Sequence, residues 1–283
     1  MTARILSRVP ARPASNIPPL GHEEAYRMGL VQMERFVDLL ESLHESDWTL
    51  PTTCALWDVR QMAAHVAGAA EGFLSLKNFR RQMMGKGLKK YAQHGLKGID
   101  ATNQLQVDDR ADKTPAEIIA EIKTIEPKAY LNRYKLPWLL YKTPAYLPGL
   151  GFVRVAYLTD LIYTRDSWMH TLDICRATGR EMRLTPEHDG RITALVMRDL
   201  YRGKRSQLKG KNLVYRLAGE AGGTWSIDPQ PVSPVVLEME ATDFHLLASG
   251  RLSPQEALSR QLVKITGDYE AGQTALNVTR VTY

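Results

Sequence analysis

The stretch 163–179, YTRDSWMHTLDICRATG, decides how the rest of the chain is read. Wound as a helix, it sets Asp166, His170 and Asp173 on one stripe, because residues three and four apart stack on the same face. A carboxylate one turn before an imidazole is half of a metal site. Zinc-type sites gather nitrogen and oxygen ligands at ~2.0–2.2 Å, and one helix supplies two or three of them. A further ligand has to come from another inward-facing helix. His65, in WDVRQMAAHVAGAAEGF (57–73), is the candidate. The plain alternative stands beside it. A histidine on an apolar helix face is commonly a satisfied core residue, and an Asp four residues before a His is also an ordinary surface pair worth ~0.2–0.5 kcal/mol.

Working outward, residues 23–44 carry Tyr26, Leu30, Met33, Val37, Leu40 and Leu43 at spacings of three and four, the pattern of an amphipathic helix. Asp58 is an N-cap for a second helix of about 25 residues, with His65 on or beside its buried stripe. The pattern weakens between Arg80 and Asp112. Five basic residues fall there within eleven positions (Arg80, Arg81, Lys86, Lys89, Lys90), without the interleaved aromatics of a nucleic-acid platform. They read as a solvated face. Thr114-Pro115-Ala116-Glu117 is a capping box with proline at the first helical position, so a third helix starts there. Prolines at 127, 137, 144 and 148 interrupt the segment after that start, and a last helix opens at Val153 and closes on Gly179. Four long helices with one elaborated connection make a four-helix bundle, a fold that builds metal sites from facing helices.

After residue 181 the period changes. A helix around 189–201 precedes a hairpin (213–227) with a Gly-containing turn and a strand at 235–239. A helix capped by Thr242 or Asp243 runs to Gly250. Ser253–Glu256 is another capping box, 263–266 a strand, and Asp268 leads into a closing helix. The expected domains are a tail (1–19), a helical bundle (20–181) and a smaller α+β domain (182–283).

The chain has 283 residues, of which 44% are hydrophobic and 24% charged, enough to bury a core without staples. Its two cysteines, Cys54 and Cys175, have no metal spacing, which points to a reducing cytoplasm. Cys175 lies five residues past His170, on a different face, and is not counted as a ligand. The net charge of +6 balances 37 basic against 31 acidic residues, permitting a nucleic-acid partner without arguing for one. No apolar run approaches the ~20 residues of a membrane span. Residues 1–19, with Arg4, Arg8, Arg12 and four prolines, match a transit peptide in composition only and read as a poorly ordered tail. Expected partners are therefore small molecules, not nucleic acid or membrane, with a homodimer left open.

WDVRQMAAHVAG (57–68) resembles the W-x-V-x-x-x-x-x-H-L signature of DinB-like proteins, specifically the mycothiol-dependent maleylpyruvate isomerase group. RDSWMHTLDICRATGR (165–180) resembles that group's second signature, and the GGTWSI, SGR and VKITGD segments of the last hundred residues resemble the sterol-carrier-protein-like domain that accompanies it. The resemblance implies a DinB-like four-helix bundle followed by a smaller α+β sterol-carrier-like domain. It also implies a divalent metal, zinc or else nickel, on His65, Asp166 and His170, with one position open for the thiol of mycothiol. The group has Glu where this chain has Asp166, a methylene shorter. Asp166 is thus a ligand, a ligand through water, or a group that orients a histidine ring. Asp173 orients a ring or stabilises the helix. Trp57 is a packing residue or a substrate contact. Arg251, of the SGR segment, is the candidate to clamp an anionic substrate, or else a surface helix end. The implied activity is thiol-dependent cis–trans isomerisation or S-transfer to a small electrophile. Two other classes remain open. One is a binding module that holds an apolar ligand in the C-terminal domain, and the other is a metal-free bundle serving as an interaction scaffold.

Overall fold

The computed structural model describes residues 10–147 and 151–283, and its contacts divide the chain into two compact units. One is Leu20–Met182; the other joins Arg183–Tyr283 to the residues before Leu20. The described chain opens in the second unit, on a short strand β1 (Arg12–Pro13) and a 3-10 turn (Ala14–Asn16).

The first unit is helical: α1 (His22–Glu41), α2 (Val59–Gly72), α3 (Leu76–Met84), α4 (Lys89–Gln93), α5 (Ile99–Asp108), α6 (Pro115–Tyr134), α7 (Trp138–Lys142), a hairpin β2 (Pro144–Leu147) and β3 (Gly151–Arg154), then α8 (Tyr163–Thr178). Four of these form a closed ring in which α1 packs on α6 and α8, and α2 packs on α6 and α8. Helices α3–α5 make the elaborated connection, with α5 lying against α2. Caps fix the entry points. Asp58 accepts from Gln61 N at 2.7 Å while Gln61 Oε1 accepts from Asp58 N at 2.9 Å. Thr114 and Glu117 do the same for α6, with Pro115 at the first position.

Several boundaries differ from the periodicity. The second helix ends at Gly72 instead of running about 25 residues, because Ser75 caps a new helix by accepting from Asn78 N. Gly72 leaves room for a neighbouring side chain. A Cβ would meet Gln82 Oε1 at 2.8 Å, and Gln82 is buried there, donating to Gly68 O at 2.8 Å. Pro127 does not break α6 but lies within it. Its missing N–H costs one helical bond, and buried Ile118, Ile122, Ala129 and Tyr130 on either side hold the helix through it. Val153 sits in β3, paired with Ala145, so the last helix starts later, through a π-helical turn at Tyr157–Ile162. Pro148 and the first nine residues lie outside the described ones.

The second unit is a five-stranded sheet of order β1-β5-β4-β6-β7, built from β4 (Leu213–Ala218), β5 (Gly223–Ile227), β6 (Val235–Glu240) and β7 (Val263–Thr266). β4 pairs antiparallel with β5 and parallel with β6. Helices α9 (Arg191–Leu208), α10 (Ala241–Ser249), α11 (Pro254–Ser259) and α12 (Tyr269–Val278) pack around it. Helix α10 starts from Glu240, two or three residues before the expected Thr242 or Asp243 cap. Residues 12–19 are not a loose tail. β1 adds to the edge of β5 in parallel, Arg12 opposite Trp225, and proline is tolerated on such an edge. Arg198 and Arg191 then tie the carbonyls of Ile17, Pro18 and Pro19 at 3.2 Å each.

Candidate metal centre

The inner stripe of α2 delivers His65 and that of α8 delivers Asp166 and His170. The structure brings these three side chains together, with one donor atom from each inside a 4.8 Å group. Asp166 stands between the two rings: Oδ2 lies 3.3 Å from His65 Nε2 and Oδ1 lies 3.2 Å from His170 Nε2. Tetrahedral coordination at ~2.0–2.1 Å sets ligand atoms ~3.3 Å apart, so the group has the donor types for a divalent cation and would draw in slightly around one. Both histidine side chains are 4% exposed and that of Asp166 is 27% exposed, so solvent reaches the group through the carboxylate.

Asp173 resolves into a positioning role. Its Oδ2 lies 3.2 Å from His170 Nδ1, and Thr53 Oγ1 donates to its other oxygen. A carboxylate at Nδ1 favours the proton on that nitrogen, and Nε2 then faces Asp166, the arrangement of a metal-binding imidazole. Trp57 is buried and its ring lies 4.8 Å from that of His65, tilted by 30°. Its indole N–H donates to Gln104 Oε1 at 3.2 Å, so Trp57 packs the site wall and is itself held. His65 Nδ1 is buried and has no partner.

The charges are coupled. Burial alone would raise the Asp166 carboxyl, but the His170 charge and the hydrogen bonds from His170 and His65 hold it well below the usual carboxylate range. Burial would lower His170, yet the charge and hydrogen bond of Asp166, with Asp173 behind, raise it to about 9. Burial pushes the Cys175 thiol up to about 11, and it is not part of the group.

One region of the interior escaped the sequence reading. Continuing the α6 stripe past Ile118 and Ile122 come Glu126, Tyr130 and Arg133, all buried. Burial first, and the Asp166 charge with it, push the Glu126 carboxyl up to about 7 against the pull of Arg133. The signal was available: a carboxylate and a guanidinium occupy stripe positions where the helix otherwise buries apolar groups. Arg251 belongs to the other unit, half-buried just after Gly250, the left-handed cap of α10. Of the five basic residues at 80–90, Arg81 pairs with Asp109 and Glu71, and Lys90 with Asp108.

Residues 31–133 match the family model described as the mycothiol maleylpyruvate isomerase N-terminal domain, a stretch that includes His65 and ends before Asp166. The fold is similar to that of a solved mycothiol-dependent maleylpyruvate isomerase, with TM-score 0.53 and 15% identity over 82% of this chain and 90% of that one. A structure of a histidine-to-alanine mutant of the isomerase gives TM-score 0.55 and 15% identity over 87% and 93%. No curated protein sequence matches the chain significantly. The family resemblance read from the two motifs is supported by the family model and by the shared fold. Among the described residues no helix is long and apolar enough to cross a membrane.

Proposed function

We propose that the chain is a divalent-metal-dependent enzyme that uses a small thiol, mycothiol or a close analogue, on an unsaturated or otherwise electrophilic small molecule. The observation that carries the reading is the His65–Asp166–His170 group, in which two imidazole nitrogens and a carboxylate oxygen converge inside a bundle. The similarity to mycothiol-dependent maleylpyruvate isomerase supplies the thiol and the reaction class.

His65, Asp166 and His170 would hold the cation, zinc by the donor set, with nickel the alternative. When bound, the cation lowers the pKa of a thiol at its open position and so supplies thiolate at neutral pH. The remaining work falls to the protein. Asp173 and Thr53 fix the tautomer of His170, and Trp57 shields His65 from water. Shortening Glu to Asp at 166 is accommodated, since both carboxylate oxygens already face imidazole nitrogens at 3.2–3.3 Å. In isomerisation the thiolate forms a C–S bond at one end of a conjugated double bond. The remaining single bond rotates, and expulsion of the thiolate restores the double bond in the trans form. In S-transfer the adduct is kept and takes up a proton. Arg251 remains our candidate for binding an anion, and we carry the sterol-carrier-like reading of its unit with it. An α+β unit with a mixed sheet supports that reading.

The test is absorbance loss of a conjugated cis acid on addition of protein with mycothiol. Turnover that needs the thiol, stops on chelation and returns with zinc supports the proposal. Turnover indifferent to both thiol and chelator, or none with any conjugated acid tried, contradicts it.

A further inference from the structure

Two buried arginines in the helical unit have opposite surroundings. Arg110 is 3% exposed and fully answered. Glu121 takes its Nε and Nη2 at 3.0 and 2.7 Å, Glu71 a further bond at 3.2 Å, and the Gln106 carbonyl one at 3.2 Å. Arg133 is also 3% exposed, but among the described residues its Nε has no hydrogen-bond partner and no carboxylate forms an ion pair with it. Its guanidinium instead lies 4.1 Å from the ring centre of Tyr130, 4.8 Å from Tyr163 and 5.2 Å from Phe73.

Aromatic rings attract the cation through its flat faces and leave the N–H donors, which lie in its plane, unused. A buried guanidinium without an acceptor is costly. Glu126 lies on the same stripe two turns earlier, and its Oε2 is likewise buried without a partner. The cage also sits close to the metal centre. Tyr163 precedes Asp166 by three residues on α8, a rise of ~4.5 Å, and Phe73 is the residue that closes α2, the helix that carries His65. The Asp166 carboxylate and the Arg133 guanidinium both act on the Tyr130 and Tyr163 hydroxyls, so the cage and the metal centre share one stretch of the interior.

We propose that Arg133, caged by Phe73, Tyr130 and Tyr163, is the carboxylate anchor of the bundle site and selects small unsaturated acids as substrates, with the nearby Glu126 charge competing with the substrate carboxylate for it. This rests on the metal-centre reading above. A planar fork held by its faces accepts a carboxylate bidentately at its edge, which a lysine does not reproduce.

The experiment is calorimetric titration of the zinc-loaded, thiol-free protein with maleate at pH 8, where Glu126 is ionised, alongside Arg133→Met, Arg133→Lys, Glu126→Gln and Arg251→Met. Circular dichroism and zinc content are checked for each. The expected result is binding by wild type, at least tenfold weaker binding in Arg133→Met, an intermediate loss in Arg133→Lys, and tighter binding in Glu126→Gln. Equal binding by Arg133→Met and wild type, no binding by wild type, or a loss confined to Arg251→Met overturns the proposal. If Arg133→Met fails to fold, Glu126→Gln decides, and unchanged affinity there overturns it. Because no thiol is present, a maleate site lost with Arg133 stands even if thiol-dependent turnover is absent. Turnover without that site leaves the reaction reading intact and removes this one.

Discussion

The two ends of the bundle interior use the same four helices for opposite purposes. At one end the later turns of α1 and α8 meet the earlier turns of α2 and α6, and Phe36, Leu40, Met62, Ile118, Ile122 and Ile174 close into an apolar cluster. Further along the same stripes stand His65, Glu126, Arg133, Asp166 and His170, nearly all as deeply buried. Apolar burial gains ~25 cal/mol per Å², whereas each buried charge costs free energy that its neighbours only partly return. The first end stabilises the fold, and the second draws on that stability to hold charges in place. Equal burial thus marks different roles, and the kind of residue on the stripe tells them apart.

Ile122→Ala should have the largest effect, a loss of ~2–5 kcal/mol of stability from the cavity left in the apolar end. Denaturant unfolding measures it, and zinc content of the surviving folded protein should be unchanged. A loss of zinc in step with stability would erase the distinction between the two ends. Asp173→Asn sharpens it from the other side. Zinc affinity should fall ~10–100-fold because His170 loses its orienting carboxylate, a larger loss than any change in unfolding of the metal-free protein accounts for. Competition against a chromogenic chelator reads this.

The pH dependence comes from His170. Its pKa in the folded protein, about 9, lies above the unfolded value of 6.5. The stability it contributes to the metal-free protein is fully present below pH 6.5 and is lost as pH rises through about 9. The melting temperature of metal-free protein should accordingly drop by several degrees across that window, and His170→Gln should flatten the curve. Zinc binding has the opposite sign, strengthening as pH rises, because the ligands must shed protons. Thr114→Ala is the smallest expected change, ~1 kcal/mol from the lost α6 cap, with no effect on zinc.

Much of the fold was legible in the chain because helices repeat locally. The 3.6-residue stripes located α1, α2, α6 and α8, and the side-chain caps at Asp58, Thr114, Ser253 and Asp268 lie where the structure has them. Asp166 and His170 were readable as a pair because they share one turn of one helix. Joining them to His65 required the bundle or the family resemblance. The features that stayed hidden depend on tertiary context. The end of α2 is set by Gln82 arriving over Gly72, and Pro127 survives because α6 is packed on both sides of it. The β1 strand exists because β5 offers it an edge. Arg133 was not singled out in the sequence. Its place on the buried stripe of α6 was a signal in the sequence, but the three rings around it and its unpartnered Nε required the structure.

The most direct test of the account is elemental analysis of protein purified without chelators, beside His65→Ala and His170→Ala. The account predicts about one zinc or nickel per chain in the wild type and almost none in either variant, since each removes one of three protein ligands. Wild-type protein that carries no metal and takes none up from added zinc would contradict it, as would variants that keep a full complement.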